Sequence, residues 1–182
     1  MIAITGKSGV GKTSIVREMV KQGYEKIVTC TTRPPRPNEV NGRDYKFIDE
    51  RTFRECIDDG VFAEYKVYHT GSGDWYYGSI KSDLENATDR DVIILTPEGV
   101  RDISKNSKAD IKVVYIDAGE ETIKKRLEHR GDDPAEIKRR MRKDFEDFKD
   151  FLPCINYIIA NDGNRPIDAV VKELIERTQE ES

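Results

Sequence analysis

Residues 6–13 read GKSGVGKT, a glycine, four residues, then Gly-Lys-Thr, set between the apolar run IAIT at 2–5 and a helical pattern at 12–22. That spacing suits the holding of a polyphosphate. Gly6, Gly9 and Gly11 let the backbone turn so that successive amides point inward at an anion, and a helix beginning near Lys12 adds its positive N-terminus. Lys12 is placed to reach the β- and γ-phosphate oxygens of a nucleoside triphosphate, and the Thr13 hydroxyl to ligate Mg²⁺. Ser8, Val10 and Ser14 complete the loop and first turn expected around the donor. The bland alternative is a glycine-rich strand-to-helix turn with an incidental Lys-Thr pair, and the strand-loop-helix context argues against it.

A second stretch, TCTTRPPRPNEVNGRDYKF at 29–47, carries Arg33, Arg36 and Arg43 on a segment too broken by proline to be one helix. It raises the question of what an extended, stiffened chain does with three guanidinium groups. Arg43 has a plain answer, pairing with a neighbouring acid on a surface hairpin. Further on, Glu64 sits between Phe62 and Tyr65 in an alternating pattern, where a solvent-facing strand residue and a functional carboxylate are equally consistent with the spacing. The segment 131–150 is nearly all charge, with Ile137, Met141, Phe145 and Phe148 at helical spacing. It reads either as a salt-laced exposed helix or as an arm of useful cations.

The elements that must position these residues alternate. Continuous β-branched runs at 2–5, 26–29, 91–96, 111–117 and 155–161 read as strands buried on both faces, and amphipathic stretches at 12–22, 98–105, 119–130 and 166–178 read as crossover helices, the last with Pro166 at its first position. Residues 30–79 break the rhythm with antiparallel β character and a short helix over ERTFRECIDD. Among 182 residues, 36% are charged and 36% hydrophobic, which fits a globular chain that needs no disulfide. A net charge of −4 disfavours a nucleic-acid partner. Cys30, Cys56 and Cys154 show no metal or disulfide spacing, and no run approaches the ~18 apolar residues of a membrane span. The expectation is a soluble, cytoplasmic protein with no membrane partner.

TTRPPRPNEVNGRDYKF, FAEY at 62–65, YYGS at 76–79, KKRLEHRG at 124–131 and YIIAND at 157–162, together with the glycine loop, resemble the guanylate kinase family in residue type and order. The resemblance spans essentially the whole chain. It implies an α/β P-loop kinase with a central parallel β-sheet flanked by helices, an inserted mixed or antiparallel β subdomain for GMP at 30–79, and a helical lid at 126–150. The core would then be 1–29, 80–125 and 151–182 of a single domain. It implies transfer of the γ-phosphoryl group of ATP, with Mg²⁺, to GMP or dGMP. Arg33 and Arg36 would clamp the acceptor phosphate with bidentate forks, joined by Tyr45 and Tyr77. Ser79 would lie beside Tyr77, Glu64 would read guanine through its N1–H and amine, and Thr29 would offer a hydroxyl to the guanine O6. Lys12, Arg130 and Arg140 would face the charge on the transferred group, and Arg126 and Asn161 would lie by the donor. Asn161 is otherwise a strand-end turn residue.

The resemblance departs in two places. The family carries two aspartates on the strand that here reads DVIILTPEG, where this chain has Ile94 and Thr96, leaving Thr96 as the polar group expected at the substrate. The loop VYHTGSGDW at 67–75 is also longer by about four residues. Two rivals follow: an interaction module whose acceptor groove grips an acidic or phosphorylated partner, and a P-loop kinase for another phosphorylated small molecule. The intact glycine loop counts against the first.

Overall fold

The computed structural model describes residues 1–70, 73–106 and 111–180. In chain order the elements are β1 (Ile2–Thr5), α1 (Lys12–Lys21), β2 (Glu25–Lys26), β3 (Cys30–Thr31), β4 (Lys46–Phe47), α2 (Glu50–Asp58), β5 (Phe62–Thr70), β6 (Gly73–Ile80), α3 (Lys81–Glu85) and β7 (Asp91–Ile94). They continue with α4 (Pro97–Asn106), β8 (Lys112–Asp117), α5 (Glu120–His129), α6 (Pro134–Phe148), a 3₁₀ turn at Leu152–Cys154, β9 (Tyr157–Ala160) and α7 (Ile167–Gln179). Two units result. One comprises Met1–Lys26, Asp89–Val100 and the described residues of Asp110–Ser182; the other comprises Ile27–Thr88 and the described residues of Arg101–Ala109.

The first unit is built on a parallel sheet ordered β2-β7-β1-β8-β9. Every residue of β1 is buried, with Ile4 opposite both Ile94 and Val114, as a central strand covered on both faces requires. Helix α1 buries Ile15, Val16 and Met19. It ends where Gly23, at φ +88°, lets the Tyr24 amide donate back to the Met19 carbonyl at 3.2 Å. Helix α6 starts on Asp133, whose Oδ1 accepts from the amides of Ala135 at 2.9 Å and Glu136 at 3.2 Å, with Pro134 in the first turn. Among the described residues no helix is long and apolar enough to cross a membrane.

The second unit carries a mixed sheet ordered β4-β3-β6-β5, with β3 parallel to β4 and antiparallel to β6. One face packs on α2, where Phe53 stacks on Phe62 at 4.4 Å and lies 5.4 Å from Tyr76. A bulge between Phe62 and Glu64 shifts the register so that Glu64 stands opposite Ser79.

Four sequence expectations change. The strand expected at 26–29 stops at Lys26, because the backbone of 29–32 is bonded in the second sheet: Thr29 and Thr31 accept from Lys46 at 2.9 Å and Ile48 at 3.0 Å, and Thr32 donates to Tyr76 at 3.1 Å. The loop expected over 67–75 is largely paired strand, with Tyr68 opposite Trp75 and Thr70 opposite Gly73; its Gly71 and Ser72 lie outside the described residues. Pro166 precedes α7 as its cap and is not the first helical residue.

The fourth concerns α6. Ile137 is buried, Met141 packs against the core and the Phe148 ring meets Tyr115 edge-on at 5.3 Å, but Phe145 is 64% exposed. At ~100° per residue Phe145 lies about 80° from Ile137, whereas position 144 lies about 20° from it. The inward stripe therefore runs through Asp144.

Candidate active site

The glycine loop is shaped as its spacing requires. Gly6, Gly9 and Gly11 have φ of +146°, +81° and +97°, and a Cβ at Gly6 would lie 2.5 Å from the Ile116 carbonyl oxygen. Only glycine fits there without moving backbone. Lys12 folds over the loop, its Nζ donating to the carbonyls of Gly6 at 2.6 Å and Lys7 at 2.9 Å. Burial pushes the ammonium down to about 8, with the Asp144 charge opposing the shift and Arg130 adding to it. Thr13 and Ser14 stand in the first turn of α1, Ser14 exposed and Thr13 exposed beside the half-buried Lys12.

The loop is also held from behind. The buried Asn161 donates from Nδ2 to the Val10 carbonyl at 2.7 Å, and Arg126 donates from Nη1 to the same carbonyl at 3.3 Å. Sequence places both residues near the donor nucleotide, and both meet the loop's own backbone. Arg130 pairs with Asp132 through Nε at 3.0 Å and through Nη2. Arg140 donates to Glu136 at 2.7 Å and to Asp132 at 3.3 Å, and Arg139 donates twice to Glu136 at 2.7 and 2.8 Å. Hydrogen bonding from Arg139 leads the causes that hold the Glu136 carboxyl down at about 2. The segment is thus salt-laced, in line with one of its two sequence readings, with Arg130 still within electrostatic reach of Lys12.

The second unit gathers the other group. Arg33 is 3% exposed. Its Nε donates to the Tyr77 hydroxyl at 3.1 Å, and its Nη2 to Glu39 Oε1 at 2.8 Å and Oε2 at 2.9 Å. The guanidinium carbon lies 5.4 Å from the Tyr45 ring centre, and Tyr45 meets Tyr77 at 5.9 Å. Burial, and then the neighbouring Tyr77, raise the Tyr45 hydroxyl above its ordinary range. Arg36 joins through its backbone, its amide donating to Glu39 Oε2 at 2.7 Å. Arg43 pairs with Asp44 at 2.7 Å, the surface role that sequence allowed it.

Glu64 is half-buried, and Ser79, fully buried, donates to its Oε1 at 2.5 Å. Because Glu64 faces Ser79 across β5–β6, and Tyr77 lies two residues from Ser79, all three share one face of the sheet. Thr29 precedes β3 and is half-buried, its carbonyl bonded to Lys46. Thr96 caps α4 in the first unit, its Oγ1 accepting from the Gly99 amide at 3.0 Å, and Ile94 packs against the core. Where the resemblance implies acids, one position packs against the core and the other caps the start of a helix.

Sequence reasoning passes over two carboxylates. Glu39 organises Arg33 and the Arg36 amide; its signal is its place three residues beyond Arg36 in a run short of acids. Asp144 accepts from the Ser8 amide at 2.7 Å; its signal is an acid interrupting an apolar stripe.

A parallel sheet whose first strand runs into a glycine loop, with lysine and threonine opening the next helix, defines the P-loop class of phosphate-binding α/β proteins. Within it, the sequence model described as guanylate kinase matches residues 1–180. The guanylate kinase of Syntrophus aciditrophicus is 35% identical over 167 residues, covering 89% of this chain and 78% of that protein. That of Rhodopseudomonas palustris is 33% identical over 169 residues, covering 90% and 75%. A crystal structure of guanylate kinase from Anaplasma phagocytophilum superposes with a TM-score of 0.70 at 18% identity, covering all of this chain and 85% of that one, a likeness of fold. The chain belongs to the guanylate kinase family.

Proposed function

We propose that this protein transfers the γ-phosphoryl group of ATP to GMP or dGMP, giving ADP and GDP or dGDP. The observation that carries the reading is the shared face of β5–β6, where Ser79 orients Glu64 and Tyr77 holds Arg33, in a chain that also has a complete glycine loop. Glu64, a carboxylate acceptor, suits a base with an N1–H and an adjacent amine. Adenine presents a lone pair at N1, and a site built to accept from N1–H rejects it by roughly 10⁴. Arg33, with Tyr77 and Tyr45 around it, suits the acceptor's phosphate, and Arg36 adds a second guanidinium on the same stiffened segment.

At the donor, main-chain amides of 8–13 and Lys12 hold the β- and γ-phosphates, with Asn161 and Arg126 fixing the Val10 carbonyl so that the loop keeps its shape. Thr13, exposed in the first turn of α1, fits an ion that keeps several waters and takes one or two protein oxygens. Held there by the Thr13 hydroxyl, Mg²⁺ would supply positive charge to the phosphates of the donor. Arg130 and Arg140 supply cations toward the charge of the transferred group once they exchange their present carboxylates for phosphate. No covalent intermediate is needed. The three free cysteines, Cys30, Cys56 and Cys154, fit a reducing compartment, and the cytoplasm is its proposed place.

The test is ADP formation from Mg²⁺–ATP against GMP, dGMP, AMP and a sugar phosphate. Turnover confined to the guanine nucleotides supports the reading. Equal or greater turnover of AMP or the sugar phosphate overturns it.

A further inference from the structure

Asp144 occupies a place where the apolar pattern of its own helix does not favour a charge. It lies on the inward stripe of α6 with Ile137, Met141 and Phe148, within electrostatic reach of the half-buried Lys12. Its Oδ2 takes the Ser8 amide at 2.7 Å, one of the inward-pointing donors that make the loop an anion cradle. Lys12 meanwhile turns its protons to the Gly6 and Lys7 carbonyls. A carboxylate oxygen and a phosphate oxygen compete for the same amide and the same ammonium field.

We propose that Asp144 is an internal stand-in for a donor phosphate, latching α6 onto the glycine loop until ATP displaces it. The proposal rests on the reading of this loop as the ATP site. Displacement has two consequences. ATP binds with the intrinsic affinity of the loop multiplied by the small fraction of molecules whose cradle is open. And release of α6 accompanies donor entry, freeing the helix that carries Arg139 and Arg140 at the moment phosphate arrives. The carboxylate sits against burial, which raises its pKa, while the Ser8 amide and Lys12 pull it back. The latch is thereby held by the loop itself, with little support from the apolar surroundings.

The experiment is calorimetric titration of Mg²⁺–ATP, without GMP, into the wild type and the variants Asp144→Asn, Asp144→Ala, Asp147→Asn and Lys12→Ala. A thermal melt establishes that each is folded. Asp144→Ala is expected to bind ATP about ten-fold more tightly, the loss of one charge-assisted hydrogen bond from the closed state, and Asp144→Asn, whose amide oxygen still accepts from Ser8 but without the charge, more tightly than wild type by a smaller factor. Asp147→Asn removes a like charge that pairs with Lys143 at 2.8 Å on the same helix, and should change affinity less than about two-fold. Asp144 variants that bind ATP no more tightly than wild type overturn the latch, as does an equal gain in Asp147→Asn, which would reduce the effect to net charge. If those variants show no gain while Lys12→Ala abolishes binding, the latch falls and the donor site stands. If Lys12→Ala binds ATP as wild type does, both fall. Should the Asp144 variants fail to fold, NMR of the wild type decides: on adding ATP, the Asp144 carboxyl carbon and the Ser8 amide must shift with one midpoint, and an unmoved Asp144 carboxyl at saturation overturns the proposal.

Discussion

Arg33 and Glu39 form a closed pair, Nη2 lying 2.8 Å from one carboxylate oxygen and 2.9 Å from the other, with the guanidinium 3% exposed and Glu39 15%. Glu39 thereby decides where the fork points, because the same guanidinium must also reach the Tyr77 hydroxyl through Nε. Removing one member of a buried pair strands the other's charge. Glu39→Ala should cost about 3 kcal/mol in urea unfolding, with Glu39→Gln costing roughly half as much because an amide oxygen still accepts one bond. The KM for GMP should rise by about ten-fold in Glu39→Ala while ATP binding is unaffected. A loss under ~1 kcal/mol would show that the pair is relaxed in solution.

Glu64 and Ser79 make a second prediction, about base selection. Glu64→Gln replaces an acceptor oxygen with a donor amine on the face proposed to read guanine, and kcat/KM for GMP should fall by roughly 10³ or more. Ser79→Ala leaves the carboxylate in place but frees it to rotate, so a loss of about ten-fold is expected. In both variants ATP affinity measured alone should match wild type. Equal losses for GMP and ATP in Glu64→Gln would remove it from the acceptor site.

The glycine loop supplies a third. Gly6→Ala would set a Cβ 2.5 Å from the Ile116 carbonyl oxygen at a φ of +146°, so backbone must move. Gly11→Ala meets only the Asn161 side chain, at 2.6 Å, and Asn161 can turn away, although the φ of +97° remains strained. Gly6→Ala should therefore lower thermal stability more than Gly11→Ala, each by about 1–3 kcal/mol, and both should lose most ATP binding. Gly11→Ala with Asn161→Ala should recover part of the stability lost to the clash and none of the strain.

A fourth prediction concerns acid. The Glu136 carboxyl titrates at about 2 in the folded chain against 4.5 ordinarily, held by Arg139 first and then Arg140. A depressed carboxyl contributes stability fully above its unfolded pKa and loses it as pH falls through the folded one, here a window from about 4.5 down to about 2. Allowing for solvent around the pair, the contribution is about 1–2 kcal/mol. Unfolding free energy of wild type should fall across that window more steeply than that of Glu136→Gln, and parallel curves would show that the pairing adds nothing.

Much of this molecule is written in local pattern. The apolar run of β1, the loop it feeds and the helix that follows can be placed from residue types, because close-packed parallel strands demand β-branched residues and an anion cradle demands glycine. The edges are harder. Residues 26–29 are as β-branched as any strand, yet which sheet they join depends on partners at Lys46, Ile48 and Tyr76, far along the chain. Arg43 announces its partner in the next residue; Arg33 does not, since Glu39 reaches it only by a turn between them.

The amino-acid sequence alone determined that a glycine loop of the kind that suits a polyphosphate is present, that a guanidinium-rich segment accompanies it, and which family pattern joins the two, because those properties rest on residue type and short spacing. Tertiary structure alone decided that Asp144 takes the Ser8 amide, that Val10 is held by both Asn161 and Arg126, and that Ser79 aims Glu64. Each of those contacts joins residues distant in the chain. Their energies depend on burial and on angle, and neither is a property of any residue until the backbone has closed around it.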